Sequence, residues 1–335
     1  MKYKLLTLSN KSNINIGDYI QSLAASQYYP QIDGFVDREN LKNYEGENCK
    51  MIMNGWYMHN PEQWPPSEKI RPFFVSLHIN SSAANKMLDE EGVKYLKQHE
   101  PIGCRDYYTK DLLVNKRINA YFSGCLTLTL GNKYKSNIHD KVCYFVDPTI
   151  DTPRSVTPLI KNLITLIFNT KHIVKVSKKI YPKLSLIRLL KTAGFFRLYS
   201  KVFTKQTISD ATYINHQSPH YAKNFSTDYE RLEEAKRLVT LYSKAGLVVT
   251  SRIHCALPCL GLETPVIFTT NFENPEISSC RFGGLEELFN VIRCDADSII
   301  TDFKFKGKID CDNVVSNKDN WKPLAESLSE KCKQI

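Results

Sequence analysis

Leu247-Val248-Val249-Thr250-Ser251-Arg252-Ile253-His254-Cys255-Ala256-Leu257-Pro258 is the stretch on which the reading of this chain turns. Leu247–Thr250 is continuously apolar or β-branched, the pattern of a strand buried on both faces of a parallel sheet. A helix is expected from about Arg252 to Gly261, so Thr-Ser-Arg-x-His falls at a strand-to-helix junction. The free N–H groups and dipole of a helix start favour an anion, and Arg252 adds a guanidinium. His254 can titrate near neutral pH; a positive environment lowers its pKa and a carboxylate raises it. A histidine by itself is more often structural. The coincidence of Arg252, His254 and a helix start favours function. Cys255 and Cys259 are too few for a metal site and read as packing residues.

The same strand-then-helix rhythm extends in both directions. Thr227–Lys244 is the clearest helix. Thr227 and Glu230 fit a capping box, Leu232, Ala235, Val239 and Tyr242 share a face, and Gly246 is the stop. Val142–Val146, Ala211–Ile214 and Val266–Phe268 read as strands, the first ended by Asp147-Pro148. In the first half, strands are expected at Lys4–Leu8, Lys50–Met53, Phe73–Ile79, Ile102–Cys104 and Asn119–Phe122. Helices are expected at Gly17–Tyr28, Asp89–Gln98 and Asp106–Lys116, with a terminal helix at about Asn320–Lys333. The alternation predicts an α/β protein with mainly parallel sheets. Two such series imply two Rossmann-like domains facing across a cleft, 1–138 and 139–315, followed by a C-terminal helix in 316–335. Ligands of open parallel sheets sit beyond the carboxyl ends of the strands.

Three further polar clusters follow strands. Asn13-Ile14-Asn15-Ile16-Gly17-Asp18-Tyr19-Ile20-Gln21 combines a glycine that permits close approach with Asp18, an acid, base or hydroxyl acceptor. Asn15 or Asp18 could equally serve as an N-cap. Gly103-Cys104-Arg105-Asp106 offers a planar cation for a carboxylate or phosphate; the alternatives are a surface arginine and an N-capping Asp106. Ser123-Gly124 in Phe122–Leu130 suits an anion site or a tight turn, and Cys125 reads as an inert buried thiol because no histidine neighbours it.

The 335 residues are ample for two domains, and 42% hydrophobic with 24% charged residues describes a globular chain. No apolar run is long enough for a membrane span, and the N-terminal one is too short for a signal peptide. Ten cysteines without an export signal imply free thiols in a reducing, cytoplasmic setting.

Taken together, Asn15-x-Gly17-Asp18-x-x-Gln21, Arg105-Asp106, Ser123-Gly124-Cys125-Leu126-Thr127 and Val249–His254 continuing to Gly261-x-x-Thr264-Pro265-Val266 resemble the polysaccharide pyruvyltransferase family. The resemblance covers roughly 1–130 and 210–290. It implies a fold like that of the two-Rossmann-domain (GT-B-type) glycosyltransferases. It also implies transfer of pyruvate from phosphoenolpyruvate to a sugar or lipid-linked acceptor, in bacterial capsule, exopolysaccharide or cell-wall glycan synthesis. By this similarity Arg252 and His254 match the donor site and Arg105 a second basic position. The expected roles are His254 as general acid, Asp18 at the acceptor hydroxyl, and Arg252 and Arg105 on the donor. Asn15, Gly17, Ser123, Gly124 and Ser251 complete the binding set. His78, His216 and His220 are secondary candidates. The chemistry requires no cofactor or metal. The alternative is a nucleotide-sugar glycosyltransferase of the same shape, for which Glu263 or Glu273 would have to hold the ribose.

The formal charge of +10 is concentrated in one segment. Residues 155–205 hold eleven Lys/Arg and no Asp or Glu, so the remainder of the chain nets −1. These cations are mixed with Leu, Ile, Val and Phe. The combination predicts peripheral docking on an anionic membrane surface, against a solvated helical excursion as the alternative. No nucleic-acid-binding motif accompanies it.

Overall fold

A computed structural model describes residues 1–8, 14–150, 155–271, 280 and 282–335. The chain is α/β, and its sheets are predominantly parallel. In the second half a six-stranded sheet runs in the order Thr212–Ile214, Cys143–Val146, Leu247–Thr250, Val266–Asn271, Asn290–Cys294, Ile299–Thr301. Only the last of these is antiparallel to its neighbour. Leu247–Thr250 lies inside the sheet, paired on both edges and buried at every residue. That position explains its unbroken apolar run.

The first half builds its parallel sheets from short pieces. Lys2–Tyr3, Cys49–Ile52 and Ile70–Phe73 form one. Ala120–Phe122, Ile102–Cys104, Leu77–Ile79 and Gly55–Tyr57 form another. Leu5–Thr7 pairs with Phe35–Asp37. The expected single strand Phe73–Ile79 is therefore two, in different sheets. The break falls at Ser76, whose φ of 57° no extended chain can carry. Phe35–Asp37, Gly55–Tyr57 and Ile299–Thr301 escape the sequence because a three-residue strand is too short to display a period of two.

The helix Asp228–Ser243 has both halves of its capping box, and its apolar face is buried as its spacing requires. It packs on the helix Ile16–Ser26. There the Tyr19 hydroxyl donates to Asp228 at 2.6 Å and accepts from Arg231 at 3.2 Å. One apolar cluster unites residues of both halves, including Ile16, Ile20, Leu126, Leu257, Leu260 and Leu328. A second belongs to the first half alone, and a third joins the six-stranded sheet to residues 173–211. A short antiparallel pair, Ile14–Asn15 with Gln217–Ser218, links the halves again. The terminal helix Lys322–Cys332 returns to the first half, where Ser329 meets Tyr28 and Asn132.

Two glycines set how the helix Ile253–Gly261 meets the first half. A Cβ on Gly261 would overlap the carbonyl oxygen of Leu128, and one on Gly131 would overlap that of Gly261. The helix end thus rests backbone to backbone on the turn Leu126–Leu130. Gly261→Ala and Gly131→Ala should each destabilise the protein by ~3 kcal/mol, since the obstruction is backbone and cannot rotate away. A urea midpoint left unchanged by both would show that these segments do not touch.

Candidate active site

The carboxyl ends of the strands open on one cleft of about 430 Å³. Leu8 follows Leu5–Thr7, Arg38 follows Phe35–Asp37, His59 follows Gly55–Tyr57, and Asn80 follows Leu77–Ile79. Arg105 follows Ile102–Cys104, His216 follows Thr212–Ile214, and Ser251 to His254 follow Leu247–Thr250. Strands of both halves thus deliver polar residues to a single place, as open parallel sheets do.

Helix starts from the two halves meet here. Asn15 caps the helix Ile16–Ser26, accepting from Gly17 N at 3.1 Å. A Cβ on Gly17 would lie 3.2 Å from the Cβ of His254, so only glycine lets this turn press against the histidine without displacing it. His254 sits in the first turn of the other helix with non-helical φ −84° and ψ 15°. It is 8% exposed, and its Nε2 is buried without a hydrogen-bond partner among the described residues. Burial, followed by the charges of Arg105, His216, His78 and Arg38, holds its pKa well below 6.5. The ring is neutral at physiological pH.

Three guanidinium groups line the cleft. Arg252 is fixed by Asp147, which accepts from its Nε at 2.6 Å, while Ser251 Oγ donates to the Asp147 carbonyl at 2.6 Å. The same Asp147 carboxylate accepts from the backbone N–H of His216 at 2.9 Å. Arg105 is 3% exposed; its Nε is 3.6 Å from Asp106 and makes no hydrogen bond among the described residues. It is not a surface arginine. Asp106 caps the helix Tyr107–Asn115 through Thr109 N at 2.9 Å and holds His78 Nδ1 at 2.5 Å. Burial alone would raise the Asp106 carboxyl, but His78, Arg105 and the Thr109 N–H overcome it, and its pKa is lowered. Arg38 is also 3% exposed, 3.6 Å from Asp18, 3.1 Å from Glu39, and its guanidinium lies 5.2 Å from the centre of the Trp56 ring. Burial raises the pKa of Asp18, with Arg38 pulling the other way. Buried guanidiniums with long contacts are under-satisfied, and an anion with planar or tetrahedral oxygens would complete them.

The structure brings together Asn15, Gly17, Asp18, Arg105, His216, Ser251, Arg252 and His254. Ser123 and Gly124 are not among the residues that line the cleft. The Ser123 hydroxyl accepts from Ser76 N at 3.1 Å and lies 3.0 Å from the Cys104 carbonyl, stitching strand ends, and Gly124 (φ 69°) turns against Leu324. His220 does not line the cleft either; it is exposed and bonded to Asn224 within its own short helix. His78 is fully buried behind Arg105 and Asp106. Asn13 and Glu273 lie outside the described residues. Sequence reasoning missed Arg38, Trp56, His59, Asn80, Asp147 and Gln217. The signal for Arg38 was present: Phe35-Val36-Asp37-Arg38 is a short apolar run delivering a polar pair, the same logic that found Arg105. Among the described residues no three His, Cys, Asp or Glu side chains gather as metal ligands would. All ten cysteines are free thiols.

His216 supplies a test of this electrostatic picture. Its Nε2 is 2.7 Å from the Tyr242 hydroxyl, and burial, then Arg252, push its pKa down to about 3. The unfolded chain binds a proton at this residue below about pH 6.5 and the fold does not, so stability rises with pH between those values. Asp18, with its raised carboxyl, opposes the trend below its own pKa. His216→Gln should therefore flatten the slope of unfolding free energy against pH in this window by about 1.4 kcal/mol per pH unit. A slope equal to wild type would mean that the folded protein protonates His216 freely.

Comparison with known proteins gives one match. The family model described as polysaccharide pyruvyl transferase covers residues 15–274. No curated protein and no solved structure matches the chain. The matched span contains the cleft's arginines, the buried His216 and His254 and the two helix starts, and on it the chain belongs to the polysaccharide pyruvyl transferase family.

Proposed function

We propose that this transferase moves pyruvate from phosphoenolpyruvate onto two hydroxyls of a sugar, closing a cyclic ketal and releasing phosphate. The setting we infer is the cytoplasmic side of bacterial capsule, exopolysaccharide or cell-wall glycan synthesis, with a free or lipid-linked acceptor. The observation that carries the reading is the convergence of Arg38, Arg105 and Arg252 on a neutral, unpartnered His254. Segments 1–138 and 139–315 are read as two Rossmann-like lobes on either side of this cleft, with 316–335 closing back on the first.

The donor brings a carboxylate and a phosphate, and planar guanidinium groups hold both with directed hydrogen bonds. In this mechanism those negative charges offset Arg38 and Arg105 and raise the pKa of His254. The donor thereby favours the imidazolium that burial, and then the cleft's own charges, suppress. His254 then protonates the methylene carbon, and the adjacent carbon becomes electrophilic. A sugar hydroxyl attacks it, losing its proton toward Asp18. Phosphate leaves, a second hydroxyl closes the ring, and its proton leaves with phosphate. Asp18 returns its proton to solvent, offsetting the one His254 takes up when the donor binds; the net result is one proton in the new methyl group and one on phosphate, with no oxidant or reductant consumed. Of the two glutamates that the nucleotide-sugar alternative calls on, Glu263 is exposed and paired with Lys135 at 2.6 Å, outside the cleft, and Glu273 lies outside the described residues.

Acceptor-dependent phosphate release from phosphoenolpyruvate tests the reaction. Arg252→Ala and His254→Ala should each lower kcat/KM by ~30-fold or more, equivalent to at least ~2 kcal/mol. Full turnover in both variants would remove the site from the mechanism. Calorimetry of phosphoenolpyruvate binding at pH 7.5, in buffers of different ionisation enthalpy, tests the proton step. Uptake of up to one proton is expected in wild type and none in His254→Asn. Binding without proton uptake would deny His254 the acid role.

A further inference from the structure

The basic segment folds into three consecutive helices, Val156–Phe168, Thr170–Ile180 and Leu186–Tyr199. The third is anchored in the body of the protein, where Phe195 and Tyr199 pack with Phe145. The first rests on the third through Asn162, which is buried and accepts from Arg197 at 3.0 Å. Its outer half is apolar and exposed: Leu159, Ile160, Leu163, Ile164, Ile167 and Phe168, the last 81% exposed. Leu186 and Ile187, in the first turn of the third helix, are likewise exposed. Ten of the seventeen exposed large apolar side chains among the described residues fall between 156 and 187. A soluble surface seldom concentrates apolar area in this way without a partner.

Charge says what that partner is. Lys161 on the first helix, Lys171 and Lys178 on the second and Lys183 in the turn before the third are exposed, and none of them forms an ion pair among the described residues. A second copy of the chain would bring the same cations against one another, because a two-fold interface juxtaposes like with like. A surface both apolar and negatively charged removes that conflict. Length narrows the partner further. Thirteen residues of helix extend about 20 Å, short of the ~30 Å hydrocarbon core, and no helix of the described residues is long and apolar enough to cross a membrane. The helix suits a position in the plane of the interface, with its apolar half among acyl chains and the lysines at the headgroups.

We propose that the face of Val156–Phe168, extended by Leu186 and Ile187 and flanked by Lys161, Lys171, Lys178 and Lys183, docks this enzyme on an anionic lipid bilayer. Docking stands independently of which group the cleft transfers. It would bring the cleft to acceptors held at a membrane by a lipid carrier.

Flotation of the full-length protein with vesicles of phosphatidylcholine, alone or mixed with phosphatidylglycerol, tests it. The protein should float with the mixed vesicles and not with phosphatidylcholine alone. Salt of about 1 M, which screens charges beyond ~3 Å, should weaken the binding. Ile160→Glu combined with Ile164→Glu, and separately Lys171→Glu combined with Lys178→Glu, should each lower the bound fraction by about tenfold. These exposed positions should leave the thermal midpoint and turnover of a soluble acceptor unchanged. Failure to float with the mixed vesicles overturns the proposal, as does flotation indifferent to both double variants. A dimer in light scattering that the isoleucine variant dissolves, without vesicle binding, would assign the face to a second copy instead.

Discussion

Positive charge held where little water reaches it is the constraint around which this protein is arranged. Arg38 and Arg105 are almost wholly buried, and each finds its nearest carboxylates partly at 3.6 Å rather than in close bidentate pairs. Burying a cation is costly unless it is paired and hydrogen-bonded, so an incompletely paired one is a strained state that a ligand can relieve. The carboxylates that do surround them keep the folded protein stable without cancelling its field. Asp106 caps a helix, Asp147 orients Arg252, and Glu39 receives Arg38. Asp147 and Glu39 each accept from an arginine Nε, whereas Asp106 lies 3.6 Å from that of Arg105, and all three arginines line the cleft.

That field has a direct consequence for His254. An imidazole that is buried against Gly17 and then also faces several cations has its pKa held well below 6.5, and in the neutral form it cannot deliver a proton as a strong acid. In the proposed mechanism, an anionic donor offsets those cations. Acid strength and donor occupancy are then two aspects of one electrostatic balance. The backbone contact of Gly261 with Leu128 and Gly131 makes this arrangement possible, because it positions the His254 helix against the first half without intervening side chains.

Strand-end logic made most of this legible in the sequence. Leu247–Thr250 and Ile102–Cys104 lie where their apolar runs place them, and Arg252, His254 and Arg105 follow directly. Helix Asp228–Ser243 was readable from its cap and its face. Arg38 was missed although Phe35–Asp37 ends in the same way as the equally short Ile102–Cys104 that points to Arg105. Asp147 was seen only as the end of a strand. Its role depends on a neighbour 105 positions away, and no local pattern encodes that. Ser123 lies away from the cleft for the converse reason. A Ser-Gly after a strand suits an anion, but here it follows a strand whose end is sewn to Ser76 and Cys104, so its hydroxyl is already committed.

The two populations of cations in this chain also differ in kind, and the difference follows from what each must do. The cleft uses Arg38, Arg105 and Arg252, planar and permanently charged, with forks that match carboxylate and phosphate oxygens. Segment 155–205 uses nine lysines and two arginines. One of those arginines, Arg197, serves internal packing through Asn162 and Ala296. A lysine is a mobile point charge on a flexible stem, suited to a fluid array of headgroups where no fixed geometry is available to match. On the two proposals made above, directional cations would serve where a small anion is held in one orientation and non-directional ones where attraction to a surface is enough, a division that would account for the lopsided charge of the sequence.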